Sequence, residues 1–230
     1  MTTARTPCIG VDASDLAMVR DWLYPQYTMS NPYELFQPQQ DMRPEAIARV
    51  NIWTFKTHDI PSAVLVTVDL TDAILNHERM LANNSIESYR SVQFTYAFAF
   101  IRFVNRFVDR DAAKTATASL AAGQSDEASG GRGLGESSMY AHAAAIGMPS
   151  KFVDQRHELS HSSQLPEPIA LRRATEEALA WLWERWWKVN ATGDPGKALR
   201  RFEARKQAKQ EGSRIRIVHE STLRAEAAAL

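Results

Sequence analysis

Between residues 86 and 110 the chain carries Phe94, Tyr96, Phe98, Phe100, Ile101, Phe103, Val104 and Phe107, which fall on nearly every side of the one long helix their spacing predicts. A helix that is apolar all round must be surrounded by others, so this segment is expected at the centre of a helical bundle, its rings serving as core. Its most apolar stretch, 96–104, is interrupted by Arg102 and is too short to span a bilayer. Residues 1–10 hold no run resembling a signal peptide, so a soluble cytosolic or nuclear protein is expected.

Helices are also predicted on either side. Ser14 and Asp15 offer cap oxygens ahead of Leu16, Val19 and Leu23, a helical series that Pro25 stops. Residues 27–40, with Pro32, Pro38, Tyr33 and Phe36, read as an irregular loop. Pro44 opens a second helix with Ile47, Val50, Trp53 and Phe55 on its apolar side, and Pro61 opens a third. Residues 63–68 have the β-branched content of a buried strand, but Val64, Val68 and Leu75 continue at helical intervals over a length strands seldom reach, so helix is preferred. A short helix over 139–146 ends at Gly147 and Pro149, and a long one over 169–189 turns Leu171, Ala174, Ala178, Trp181 and Leu182 inward.

Residues 111–138 are rich in Ala, Ser, Thr, Gly and Asp and are expected to form a flexible insertion. Its glycines, 129–135, follow no strand and precede no Gly-Lys-Ser/Thr, which argues against a phosphate loop. Residues 197–216 carry eight Lys or Arg against Glu203 and Glu211 and predict a basic helix, either a solvated extension or a contact for RNA or a partner. Overall the formal charge is zero, so no global positive field points to a nucleic acid. The single cysteine, Cys8, cannot form an intrachain disulfide and has no activating neighbour in sequence.

The segment 156–161, Arg-His-Glu-Leu-Ser-His, supports two chemistries. His157-Glu158-Leu159-Ser160-His161 matches the zinc pattern H-E-x-x-H, two metal ligands one helical turn apart with a glutamate as general base. Catalytic zinc needs a third ligand. Where the extended motif wants glycine and histidine this chain has Gln164 and Glu167, leaving Glu176, Glu177 or Glu184 as candidates. No alternating strands are present to hold a peptide substrate.

The second chemistry also uses Arg156. At about 100° per residue Arg156, Ser160, His157 and His161 fall within an arc of about 140°, so all four are expected to face one cleft. RNA brings its own nucleophile, the ribose 2′-hydroxyl. Cleavage then needs a base for that proton, an acid for the leaving 5′-oxygen, and positive charge at phosphorus, roles that two histidines and an arginine fill without a metal. Spacing alone leaves open a surface helix with merely polar histidines.

The residues around the motif carry a resemblance. Phe152-Val153-Asp154-Gln155-Arg156-His157-Glu158-Leu159-Ser160-His161, then Leu165-Pro166, Leu171-Arg172 and residues 178–184, resemble the N-terminal HEPN domain of the Las-one family of eukaryotic ribosome-biogenesis endoribonucleases. Residues 19–24, 48–53, 60–61 and 101–105 extend the likeness over roughly 14–190, apart from the insertion.

The resemblance implies an all-α, HEPN-type bundle over 1–190 with a basic extension over 191–230, two copies pairing so that both motifs line one cleft. It further implies a metal-independent endoribonuclease without cofactor that cuts precursor ribosomal RNA in the second internal transcribed spacer. The ends left would be 2′,3′-cyclic phosphate and 5′-hydroxyl, and the work would be done in the nucleolus. Arg156, His157 and His161 would be catalytic, with His161 as general acid or base and Arg156 on the phosphate. The implied partner is a polynucleotide 5′-kinase, which the family holds through a C-terminal tail. This chain ends at Leu230 without a clear docking motif, so kinase binding is not expected of it. A domain that binds RNA and dimerises, but is inactive without the kinase, and the zinc peptidase are the alternatives.

Overall fold

The computed structural model describes residues 11–28, 40–83, 89–121 and 134–228. Among them every regular element is helical and no strand occurs, as the periodicity of 63–75 predicts. No helix among the described residues is long and apolar enough to cross a membrane. Cys8, the aromatics Tyr33 and Phe36, and the glycines from Ser129 to Gly133 lie outside the described residues.

Two compact units are present. In the larger, within 40–190, helices α3 (Arg43–Lys56), α4 (Ser62–Ala82), α6 (Leu134–Ala145), α7 (Ser150–His161) and α8 (Pro168–Leu182) accompany α5 (Tyr89–Ala121). The aromatic helix α5 is the common neighbour of α4, α6, α7 and α8, the central position its sequence predicts. It runs to Ala121, eleven residues into the expected insertion, and α6 already begins at Leu134; residues 122–133 lie outside the described residues. Helix formation there follows from the alanines, which carry little to bury but favour the helical backbone.

One expectation for α5 is corrected. Tyr96, Phe100, Phe103 and Val104 are buried, but Phe94 is 57% and Phe98 63% exposed. They share one stripe of about 40° on the helix surface that stays open to solvent, and Asn105 follows further along the same stripe, where it is half-buried. Beside it runs a groove of about 570 Å³ bordered by Ile47, Val68, Asp69, Phe94 and Phe98. Phe55, expected on the apolar side of α3, is 90% exposed.

Polar contacts fix the packing of α4 and α8. Glu78 on α4 accepts hydrogen bonds from Arg43 of α3 (2.6 Å) and Arg172 of α8 (2.9 Å). Past Leu182, a π-helical turn, Trp183–Trp187, leads into the short α9 (Lys188–Asn190). The wider turn brings Trp187 fully inside, where its indole N–H donates to Thr67 Oγ1 at 2.9 Å.

His77 is buried on α4 with its Nδ1 3.1 Å from the Tyr96 hydroxyl. Burial, reinforced by the Arg172 charge, holds its pKa below the ordinary value. Because the unfolded chain then takes up the proton first, the stability this group contributes is complete above about pH 6.5 and declines as pH falls toward the depressed folded value. The melting temperature is expected to drop between pH 7.5 and 5.5 by more in the wild type than in His77→Gln, measured by circular dichroism. Parallel pH profiles would refute this.

The smaller unit joins α1 (Ala13–Leu23) and α2 (Pro25–Thr28) to the C-terminal α10 (Pro195–Ala228). Sequence groups α1 with the bundle and reads α10 as a basic helix with few anchors; in the structure the two helices pack on each other. The α1 cap is Asp12 rather than Ser14 or Asp15, its carboxylate accepting from Ser14 N at 2.7 Å. Arg201 of α10 donates to the same carboxylate (2.9 Å) and to Asp15 (3.3 Å), and with the Ser14 bond this holds the Asp12 pKa at about 2. Trp22 and Phe202 meet edge to face at 5.0 Å. Gly193 passes so near the start of α1 that a Cβ there would lie 2.2 Å from Ala13 O.

Candidate active site

The motif helix α7 is delivered by a glycine turn. Gly147 has φ +69°, and the bonds Gly147 N to Ala144 O (3.0 Å) and Met148 N to Ala143 O (2.8 Å) close α6 as a Schellman motif. Pro149 then precedes α7, and the Trp181 indole N–H donates to Gly147 O at 3.0 Å, tying the turn to α8. At the other end Gln93 Nε2 on α5 donates to the carbonyls of Leu165 and Pro166 at 3.2 and 2.9 Å. Both ends of the motif helix are therefore fixed to the bundle.

Its length is anchored by Phe152, Val153 and Leu159, all buried. Phe152 sits edge to face with Phe100 and Phe103 of α5 at 5.8 and 5.5 Å, in a cluster that Phe107 and Trp181 complete. Angularly Arg156 falls between Phe152, Leu159 and Val153, toward α5. It is half-buried, and its Nε donates to Asn105 Oδ1 at 3.0 Å.

His157, Ser160 and His161 are exposed. The two imidazoles stand side by side with centroids 4.6 Å apart and planes at 49°. Ser160 turns back to donate to Arg156 O at 2.8 Å, so its hydroxyl is occupied by its own helix. The sequence therefore places four residues on one arc, while the fold sets Arg156 on the seam with α5 and the histidines on the solvent flank beside it. In one chain this is an open ridge. It offers a fixed cation and two adjacent groups able to take or give protons, chemistry suited to an anionic substrate lying along the helix.

Among the described residues the zinc pattern finds no third ligand. Glu176 accepts from Arg172 at 2.8 Å, Glu177 from Lys151 at 2.6 Å and Glu184 from Lys188 at 3.1 Å. Among the described residues no three His, Cys, Asp or Glu side chains form a set that could hold a metal. Asn105 is the residue that sequence reasoning missed. Its only sequence signal is its place at the end of the stretch 101–105, on the stripe shared with Phe94 and Phe98.

Comparison with known proteins places the chain in a family. A family model described as Las1-like matches residues 9–189. Protein LAS1 of Saccharomyces cerevisiae is 29% identical over 177 residues, covering 76% of this chain and 30% of that protein. Pre-rRNA-processing protein las1 of Schizosaccharomyces pombe is 38% identical over 52 residues, 23% of this chain and 11% of that protein. The chain thus spans under a third of the length of either relative. Because the family match runs unbroken from the first helix through α8, taking in Asn105 and the whole of the motif helix, the chain belongs to the Las1-like family.

Proposed function

We propose that this chain is the RNA-cleaving, HEPN-type domain of a metal-independent endoribonuclease that processes precursor ribosomal RNA. The observation that carries the reading is the pair of exposed imidazoles, 4.6 Å apart, beside a half-buried arginine on the same helix. The names of the two yeast relatives and the family match support ribosomal RNA as the substrate class. The proposed cut lies in the second internal transcribed spacer and the place of work is the nucleolus.

In the proposed reaction the ribose 2′-oxygen attacks the adjacent phosphorus while a base takes its proton. The P–O5′ bond breaks, an acid returns a proton to the leaving oxygen, and the products are a 2′,3′-cyclic phosphate and a 5′-hydroxyl. His161 serves in one of these proton transfers, His157 beside it. Arg156 binds the scissile phosphate and offsets the charge that grows on its oxygens. Two copies pair so that both motifs border one cleft, the uncovered Phe94–Phe98 stripe being apolar surface available for such pairing. A polynucleotide 5′-kinase is the proposed consumer of the 5′-hydroxyl.

The test is cleavage of spacer RNA by the purified chain in excess EDTA. Cutting is expected to persist, to leave a 2′,3′-cyclic phosphate, and to vanish when the single 2′-hydroxyl at the cut is replaced by hydrogen. Cleavage that EDTA abolishes, or that survives the 2′-deoxy substitution, would defeat the reading. RNA binding without cutting, restored by adding the kinase, would favour instead a binding and dimerisation module.

A further inference from the structure

Arg156 is held differently from four other half-buried arginines. Arg20, Arg43, Arg102 and Arg172 are each paired with a carboxylate, at 2.6–3.0 Å. Arg156 is held at 3.0 Å by the neutral amide of Asn105, and among the described residues no carboxylate pairs with it. We propose that Asn105 is the positioning residue of the active site, fixing the Arg156 guanidinium by its Nε while leaving its whole positive charge and its Nη edge for the substrate phosphate. This rests on the reading of Arg156 as the phosphate ligand.

The chemistry is specific. Nε–H is a single donor, so the atom that meets it must be an acceptor, which assigns Oδ1 rather than Nδ2 to that side of the Asn105 amide. With Nε engaged, the guanidinium plane is restrained, and the Nη1–Nη2 end keeps the geometry that matches two phosphate oxygens. An unheld arginine would spread over many rotamers and lose that orientation. A carboxylate at 105 would hold Nε equally well, but its charge would cancel much of the attraction for phosphate.

Asn105 also lies on a different helix from the motif, 51 residues away in sequence. The aromatic cluster that seats Phe152 between Phe100 and Phe103 sets the register that lets the two meet. Rigid helices on both sides of the contact are what a positioning role requires.

Two measurements on the full chain test this. In the first, the Nε–H resonance of Arg156, assigned by its loss in Arg156→Lys, is expected to exchange slowly with water in the wild type and in Asn105→Asp, and quickly in Asn105→Ala. Equal exchange in wild type and Asn105→Ala would overturn the proposal. In the second, Asn105→Ala is expected to lower kcat for RNA cleavage about a hundredfold with a smaller change in KM. In an Arg156→Lys background, which has no Nε to hold, it should cost little further. The same fold-loss in both backgrounds would also overturn it. If Arg156→Lys cleaves as fast as wild type, it is the phosphate role of Arg156 that has failed, and the exchange measurement alone then decides whether Asn105 holds the guanidinium.

Discussion

Arg156→Ala is expected to slow RNA cleavage by roughly a hundredfold to a thousandfold, the usual cost of removing one preorganised donor from a charged transition state. The phosphorane-like species carries more charge on its non-bridging oxygens than the ground-state phosphodiester does. A cation fixed beside it lowers the barrier more than it tightens binding. The fold should tolerate the change, because the guanidinium is half-exposed and the Asn105 oxygen it leaves behind can turn to water. Single-turnover rates and thermal melts on the same preparations check both halves. A variant that folds and still cuts at the wild-type rate would remove Arg156 from the mechanism.

Phe152→Ala is expected to act through stability instead, lowering it by about 3–5 kcal/mol. Phe152 is 2% exposed and makes edge-to-face contacts with two rings of α5, so truncation removes both the buried ring and the quadrupolar pairing, and opens a cavity. The cavity sits beneath the motif helix. Cleavage should therefore fall together with the folded fraction, and a urea titration read by circular dichroism should show an earlier midpoint with little change in slope. A midpoint within experimental error of the wild type would mean that α7 is held chiefly by its ends, at Gly147 and at the Gln93 bonds.

These two residues sit four apart on one helix, yet one is buried beneath it and the other is half-exposed beside the histidines. Helical period accounts for part of this. Phe152 and Leu159, seven residues apart, share the buried side of α7, and the preceding short helix ends at Gly147 and Pro149 as its sequence predicts. The motif itself is also legible, but its spacing alone leaves a merely polar surface helix open, and it is the resemblance of the surrounding segments that nominates Arg156, His157 and His161. The family resemblance read from the neighbouring segments agrees with the match over 9–189.

Period does not say which neighbour covers a given side. Eight apolar residues on α5 argue for a helix enclosed on all sides, but only the packing of α4, α6, α7 and α8 decides that Phe94 and Phe98 stay in solvent while Phe100 and Phe103 do not. The basic residues of α10 predict a solvated helix or a contact for RNA or a partner, not a helix seated on α1. Its seating on α1 depends on Arg201 reaching Asp12 and Asp15, nearly two hundred positions earlier in the chain.

From its sequence alone this protein has most of its helices, their order, the aromatic segment that must be largely interior, and the arginine and two histidines proposed to carry its chemistry, because each is a local matter of residue type and repeat. Tertiary structure alone decided that α1 packs with α10, that a π-helical turn buries Trp187, and that Asn105 meets Arg156. Those contacts join residues remote in sequence through rigid helices, and no local preference encodes which two surfaces come together.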